Sequence, residues 1–324
     1  MRALSKLSIV LPAFGEAENL KALLPRLLGV SSLAESLQII VVDDHSTDAT
    51  FDVVREWAER DPRVQGVRLA RNCGSHMAIV CGLSVATGQA AMVLASDGQD
   101  PPELAGQLVA AWRDGAQVVW AVRQGREGET AATLAFSSAY YAFMNRWSSV
   151  RLPPSGADFF LIDRRVAQAL LAIPEHNASI FALIASLGFR QAEIPYVKQS
   201  RLSGTSKWTL RKKVRLAMDS MVGFSTLPLK AATGLGFLYA FCGFVYAALL
   251  VINRTTGGLL FGAVPLTGWS ALMVVLLISS GTVMLILGVF GEYLWRALEE
   301  VRGRPRFLIE DTVNVAEPGD RVLP

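Results

Sequence analysis

Along residues 1–200, short apolar runs alternate with stretches of helical period. The runs at 7–11, 38–42, 64–69, 92–94 and 117–122 are rich in Val, Ile and Leu; the first ends in the loop Pro12-Ala13-Phe14-Gly15, and acidic or basic residues follow the others closely. Such runs suit strands buried on both faces of a parallel sheet. Helical periodicity over 16–28, 49–60, 75–86 and 102–112 predicts crossover helices between them. Strand, helix, strand, helix at this spacing predicts an α/β domain with a mostly parallel sheet. Further helices are expected at 130–146, 164–171 and 179–187, with residues 158–162 between the first two. Residues 189–197 are read as the last strand.

Beyond residue 200 the pattern changes. Lys207, Arg211, Lys212, Lys213 and Arg215 are interleaved with Trp208, Leu210, Val214, Leu216 and Met218. This reads as a basic amphipathic helix on an anionic membrane surface, with a solvated basic face as the plain alternative. Residues 231–252 and 267–290 carry no charge. At ~1.5 Å per residue each is long enough to cross a hydrocarbon core of about 30 Å. Lys and Arg crowd both outer flanks, whereas the link between the spans holds Arg254. The positive-inside rule then places the N-terminal domain and the C-terminal tail in the cytosol. The expected organisation is a cytosolic α/β domain over 1–200, a juxtamembrane segment over 201–230, two transmembrane helices within 231–290, and a cytosolic tail over 291–324.

Composition refines this picture slightly. Of the 324 residues 52% are hydrophobic and 18% charged, which is apolar for a soluble enzyme. The net charge of +3 is mild, and no nucleic-acid partner is expected. Cys73, Cys81 and Cys242 form no CxxC pair, so a disulfide framework is not expected and a reducing compartment fits. His45, His76 and His176 are too scattered to suggest zinc. The run at 8–11 is too short for the apolar core of a signal peptide.

The candidate chemistry lies where the apolar runs end. The fourth run leads into Ala95-Ser96-Asp97-Gly98-Gln99-Asp100-Pro101-Pro102. In open α/β sheets ligands bind beyond the carboxyl ends of the strands. Carboxylate and amide oxygens there suit a hard divalent cation bridging to phosphate. A polar turn leading to a Pro-started helix explains the same residues. The second run ends in Asp43-Asp44-His45-Ser46-Thr47-Asp48. Asp48 is the better helix cap, which leaves Asp44 for a ligand. Arg71, Arg123, Arg126 and Arg201 can clamp phosphate through paired hydrogen bonds. A cation and a diphosphate held near a bilayer make a lipid phosphate a reasonable second substrate.

These residues, with Ile9-Val10-Leu11-Pro12-Ala13-Phe14-Gly15-Glu16-Ala17-Glu18-Asn19-Leu20, Arg201-Leu202-Ser203-Gly204-Thr205-Ser206-Lys207-Trp208 and Gly291-Glu292-Tyr293-Leu294-Trp295-Arg296, resemble the polyprenyl-phosphate glycosyltransferases of glycosyltransferase family 2. The resemblance covers nearly the whole chain, and bactoprenol glucosyltransferases and dolichol-phosphate mannose synthases are the near relatives. It implies a GT-A (Rossmann-like) fold and an inverting transfer of one sugar from a nucleotide sugar to a polyprenyl phosphate. On that basis Pro12, Ala13, Glu16, Asp44, Arg71, Gly74 and Ser96 face the nucleotide. Asp97 and Gln99 hold Mg²⁺ or Mn²⁺, Asp97 acts in catalysis, and Asp158 matches the family's proposed base. Arg123, Arg126, Arg201 and Lys207 bind the acceptor or the diphosphate. A homo-oligomer in the bacterial inner membrane is also implied.

One departure from the family pattern is visible: Ala95 stands where the first acid of the DxD motif belongs. Asp100 or water could replace it, metal binding could be weaker, or the chain could be a non-catalytic nucleotide-sugar scaffold. A processive polysaccharide synthase is a further alternative, but its QxxRW motif is matched only by Phe143-Met144-Asn145-Arg146-Trp147, which lacks the glutamine. Neither the sugar nor the choice of UDP or GDP is written in these residues.

Overall fold

The structure, a computed structural model, describes residues 3–123, 158–173, 179–197, 227–256 and 269–315. They fall into two compact units, Met1–Ser220 with Gly303–Pro324, and Met221–Arg302.

The first unit is built on an eight-stranded sheet. Its strands are β1 (Lys6–Ala13), β2 (Ser36–Asp43), β3 (Val64–Leu69), β4 (Ala90–Val93), β5 (Val118–Arg123), β6 (Phe159–Asp163), β7 (Gln191–Tyr196) and β8 (Ile309–Val313). They lie in the order β7-β5-β6-β4-β1-β2-β3-β8. β1 is parallel to β2 and β4, β2 to β3, and β5 to β7. β6 runs antiparallel to both β4 and β5, and β8 antiparallel to β3. The carboxyl ends of β1, β2, β3, β4, β5 and β7 and the amino ends of β6 and β8 therefore share one edge of the sheet.

The helices of this unit are α1 (Ala17–Gly29), α2 (Thr50–Arg60), α3 (Ser75–Val85), α4 (Ala105–Arg113), α5 (Arg164–Leu171) and α6 (Ile180–Ser186). α1 buries Leu20, Leu23, Leu24 and Leu27 completely, at roughly 1.5–3 kcal/mol of transfer free energy per side chain. α3 approaches the sheet so closely that a Cβ on Gly82 would meet Val10 Cγ1 at 2.3 Å. The strands read as continuous apolar runs because helices cover both faces. Ile9, Val10, Leu11, Ile39, Ile40 and Val41 are all fully buried. Near the amino edge a neutral network joins the strands: Ser8 Oγ donates to Gln38 Oε1 (2.6 Å), and Gln38 Nε2 to Gln65 Oε1 (2.8 Å). The acids singled out from the sequence lie at the opposite edge.

Two expectations change. The stretch at 158–162 supplies most of strand β6 (Phe159–Asp163), whose antiparallel direction follows from pairing with β4 and β5 and not from any local signal. Within residues 189–197 the expected strand forms as β7 (Gln191–Tyr196), but it is not the last. Residues 309–313, read as tail, return as edge strand β8, held by Ala70 N donating to Leu308 O (2.8 Å) and by Asn314 Nδ2 donating to Ala58 O (2.6 Å). Its five residues are half-exposed and alternate in burial, a pattern too short to announce a strand whose partner lies far away in the chain. The helix expected at 130–146 lies outside the described residues.

The second unit contains α7 (Leu227–Thr255) and α8 (Trp269–Val301). Thr282 Oγ1 of α8 donates to the Tyr239 hydroxyl of α7 at 3.3 Å. Phe237 and Phe244 are 77% and 79% exposed, and Met284 is 70% exposed. Among the described residues one helix is long and apolar enough to cross a membrane by composition, over Ile278–Trp295 at mean hydropathy 1.4. The stretch Ala232–Tyr246 of α7 is a shorter apolar segment. The two-span expectation is therefore matched by one such helix.

Candidate active site

The loops after β1, β2 and β3 are tied to one another. Asp44 N donates to Ala13 O (2.9 Å), Gly15 N to Ser46 Oγ (2.9 Å) and Glu16 N to Thr50 Oγ1 (2.9 Å). Asn19 Nδ2 donates to Glu16 Oε2 (2.5 Å). Pro12, Ala13 and Glu16 thus sit in a braced loop at the carboxyl edge. Asp48 is not the cap of α2 as expected: Ala49 holds that position without a side-chain cap, and Asp48 Oδ1 accepts from Thr50 N (3.2 Å) one residue earlier in the turn. Asp44 does not stay clear of the backbone as expected. Its Oδ1 accepts from Cys73 N (2.6 Å) and its Oδ2 from Gly74 N (2.8 Å). Each carboxylate oxygen carries two lone pairs, so a further donor can still be accommodated. Burial raises the Asp44 pKa above the ordinary aspartate value, against the pull of those two N–H groups. Gly74 has φ 88° and ψ 159°, a conformation essentially reserved for glycine, and a side chain there would be strained although the space is open. Arg71 is exposed in the same loop.

The loop after β4 folds back on the sheet. Ser96 Oγ donates to Pro12 O (2.8 Å), and Gln99 N donates to Asp97 Oδ1 (3.1 Å) across Gly98 at φ 72°. Asp97 is only 7% exposed. Asp100, the candidate to stand in for the missing acid, is fully buried and engaged by the protein itself. Its Oδ2 accepts from Ala95 N (3.2 Å) and its Oδ1 from the Tyr196 hydroxyl (2.7 Å). Among the described residues no three His, Cys, Asp or Glu side chains cluster as a metal site. The oxygens of Asp97 and Gln99 form a sparse set. That set fits a cation which arrives with phosphate and keeps water, as Mg²⁺ typically does with one or two carboxylates.

Beyond β5 and before β6, Arg123 forms an ion pair with Asp158, and its Nε donates to the Tyr196 hydroxyl at 3.4 Å. Burial weighs against the Arg123 charge, but Asp158, Tyr196 and Asp100 outweigh it and hold the guanidinium charged. Burial and then Asp100 keep the Tyr196 hydroxyl protonated, which makes it the donor to Asp100. A continuous path therefore runs from Asp158 through Arg123, Tyr196 and Asp100 to the backbone of Ala95. His76 is no plain surface residue. Its Nδ1 accepts from Ile180 N (3.4 Å), its ring meets Phe181 edge-on at 5.1 Å, and burial lowers its pKa against the pull of Asp158. Arg126, Arg201, Lys207 and the segment 143–147 lie outside the described residues.

The structure adds residues that were not singled out from the sequence. Tyr196 closes β7 exactly where β5 ends, in register with Arg123. Arg68, inside a strand, reaches the buried Asp43 (3.0 Å). A charged residue within an apolar run was the available signal, but its partner is identifiable only once β2 and β3 are paired.

A mostly parallel α/β sheet gathers acids, an Arg–Asp pair and a glycine-shaped loop at its carboxyl edge, in a GT-A-like fold. Residues 8–171 match the family described as Glycosyl transferase family 2. The "Uncharacterized glycosyltransferase sll0501" of Synechocystis is 36% identical over 307 residues, covering 94% of this chain and 95% of that protein. The "SfII prophage-derived bactoprenol glucosyl transferase" of Shigella flexneri is 30% identical over 306 residues, covering 94% and 97%. The "Undecaprenyl-phosphate 4-deoxy-4-formamido-L-arabinose transferase" of Edwardsiella ictaluri is 33% identical over 315 residues, covering 97% and 96%. The chain belongs to glycosyltransferase family 2.

Proposed function

We propose that the protein transfers one sugar from a nucleotide sugar to a polyprenyl phosphate, such as undecaprenyl phosphate, at the cytosolic face of the bacterial inner membrane, with inversion at the anomeric carbon. A UDP-sugar is the first donor to try. The observation that carries this is the meeting, at one sheet edge, of the braced loops after β1–β3, the Asp97–Gln99 turn and the Arg123–Asp158 pair. Relatives over almost the full length are named for bactoprenol and undecaprenyl phosphate, which supports the acceptor class.

The roles are those the family resemblance implies, and the chemistry of the side chains suits them. Pro12, Ala13, Glu16, Asp44, Arg71, Gly74 and Ser96 line the nucleotide pocket. Asp44 accepts from a base N–H, which suits uracil and guanine equally. Asp97 and Gln99 would hold Mg²⁺ or Mn²⁺, which supplies neutralising charge for the departing nucleoside diphosphate. Arg123, with Arg126, Arg201 and Lys207, orients the acceptor phosphate. A phosphomonoester with a second pKa near ~6 is largely dianionic at neutral pH, so Asp158 serves orientation more than deprotonation. Most of the acceleration comes from positioning and charge stabilisation.

Both α7 and α8 exceed the thickness of a hydrocarbon core of about 30 Å, and their exposed Phe and Met side chains favour lipid over water. The test uses purified full-length protein with undecaprenyl phosphate, Mg²⁺ or Mn²⁺ and radiolabelled UDP- and GDP-sugars. Labelled lipid from one donor is expected. No product from any donor, beside an active relative, would overturn the assignment. Ala95 favours a second reading, a nucleotide-sugar-binding scaffold without turnover. If Ala95→Asp makes product and the native chain does not, the scaffold is correct.

A further inference from the structure

The strand that follows α8 reaches the loops at the carboxyl edge. Glu310 of β8 accepts from Arg68 Nε at 3.0 Å. The same guanidinium donates through NH1 to Asp43 Oδ2 (3.0 Å) and through NH2 to Ser46 O (3.2 Å). Asp43 Oδ1 accepts from Ser46 N (3.0 Å), and Ser46 Oγ accepts from Gly15 N (2.9 Å). Glu310 also lies 3.4 Å from Nδ1 of His45, the same nitrogen that meets Leu69 O at 3.0 Å. His45 has φ 60°, a left-handed conformation that histidine adopts more readily than most side chains. One carboxylate thus supports, through Arg68, the turn that carries Asp44 and the loop that carries Pro12, Ala13 and Glu16.

We infer that Glu310 is a positioning residue for the donor nucleotide: through Arg68 it holds the 43–46 turn and the loop after β1 in their binding geometry. The inference rests on the assignment of this edge as the nucleotide pocket. The physical reason is that the Asp43 carboxylate is fully buried and depends on the Arg68 charge, while Arg68 is a long side chain that needs a fixed orientation to serve both Asp43 and Ser46. Glu310 supplies that orientation from the far side of the guanidinium. β8 has a second clasp, in which Asp311 pairs with Arg55 at 2.5 Å. Arg55 and Arg68 both lie over the Phe51 ring, at 4.8 and 5.7 Å, but the Asp311 carboxylate bonds Arg55 and not the Arg68 guanidinium that holds Asp43 and Ser46. The two clasps separate positioning from simple seating of the strand.

The test measures binding of UDP and of GDP, each with Mg²⁺, to full-length wild type, Glu310→Gln and Asp311→Asn, together with donor KM and kcat. Expected are a dissociation constant raised about fivefold in Glu310→Gln, the size of a half-exposed charge pair, a kcat within about twofold of wild type, and no change in Asp311→Asn. Equal weakening in both variants would mean that Glu310 only seats β8, and would overturn the inference. So would wild-type affinity in Glu310→Gln. Should wild type bind neither nucleotide, the assignment of the pocket itself falls, and the inference with it.

Discussion

At Asp44, burial and two backbone N–H groups act in opposite directions on one carboxylate, and burial prevails. Its folded pKa lies above its unfolded value, so the folded state binds this proton more readily. The contribution of Asp44 to stability is then greatest below the ordinary aspartate range and falls as pH rises through the interval up to the raised value. Comparing urea midpoints of wild type and Asp44→Asn across that interval should show this slope in wild type and its loss in the variant. Asp100 gives a different expectation. Because it joins Tyr196 to the Ala95 backbone, Tyr196→Phe and Asp100→Asn should each destabilise the fold. Their effects should fall short of additivity by on the order of 0.5–3 kcal/mol in a double-mutant cycle, and strict additivity would argue that the two do not act together. Asp97→Ala should abolish sugar transfer and, since the carboxylate also accepts from Gln99 N, cost about 1–3 kcal/mol of stability without unfolding the protein. An unchanged rate would show that the cation is held elsewhere. Asp97 and Gln99 could be singled out in the sequence because their spacing after a strand carries the information. Tyr196 could not, because its importance comes from the residue beside it across the sheet.

The packing of α3 on the sheet sets the expectation for single elements. A Cβ at Gly82 would come within 2.3 Å of Val10 Cγ1 and 3.1 Å of Val42 Cγ2, both on stiff β-branched side chains. Gly82→Ala should therefore destabilise by about 1–3 kcal/mol through overpacking, although alanine is the better helix former. Gly106 in α4 has only Leu33 Cδ2, at 3.8 Å, within reach, so Gly106→Ala should stabilise by about 0.5–1 kcal/mol. The opposite signs can be read from urea midpoints. The five parallel-type runs from 7–11 to 117–122 were legible because strands covered on both faces carry continuous apolar sequence. The direction of β6 and the existence of β8 were not, since a short strand acquires both from its neighbours.

For the whole molecule, the decisive connection is that the chain leaves the sheet unit before α7 and rejoins it at β8, paired with β3. A strand cannot pair with the sheet through a bilayer, because its backbone groups would be left without partners in the hydrocarbon. If α8 crosses the membrane, an even number of crossings is required, and α7 is the element available to return the chain. Fusions of a compartment-sensitive reporter should accordingly place residue 200 and residue 316 on the same side and residue 260 on the other. Opposite sides for the first two would contradict the pairing of β8. Which side the two ends share is a separate matter from the pairing; the basic flanks, read from sequence, predict the cytosol.

The sequence by itself determined the α/β class, the family resemblance, the apolar helices and the acids at the strand ends. Each of these is written in local period, composition or spacing along the chain. Only the tertiary structure decided that Asp44 grips the loop before α3, that Asp100 joins Tyr196 to the Ala95 backbone, and that Glu310 reaches Arg68. Those relations join residues that are distant in sequence, and they exist only when strand order and direction bring the loops to one edge.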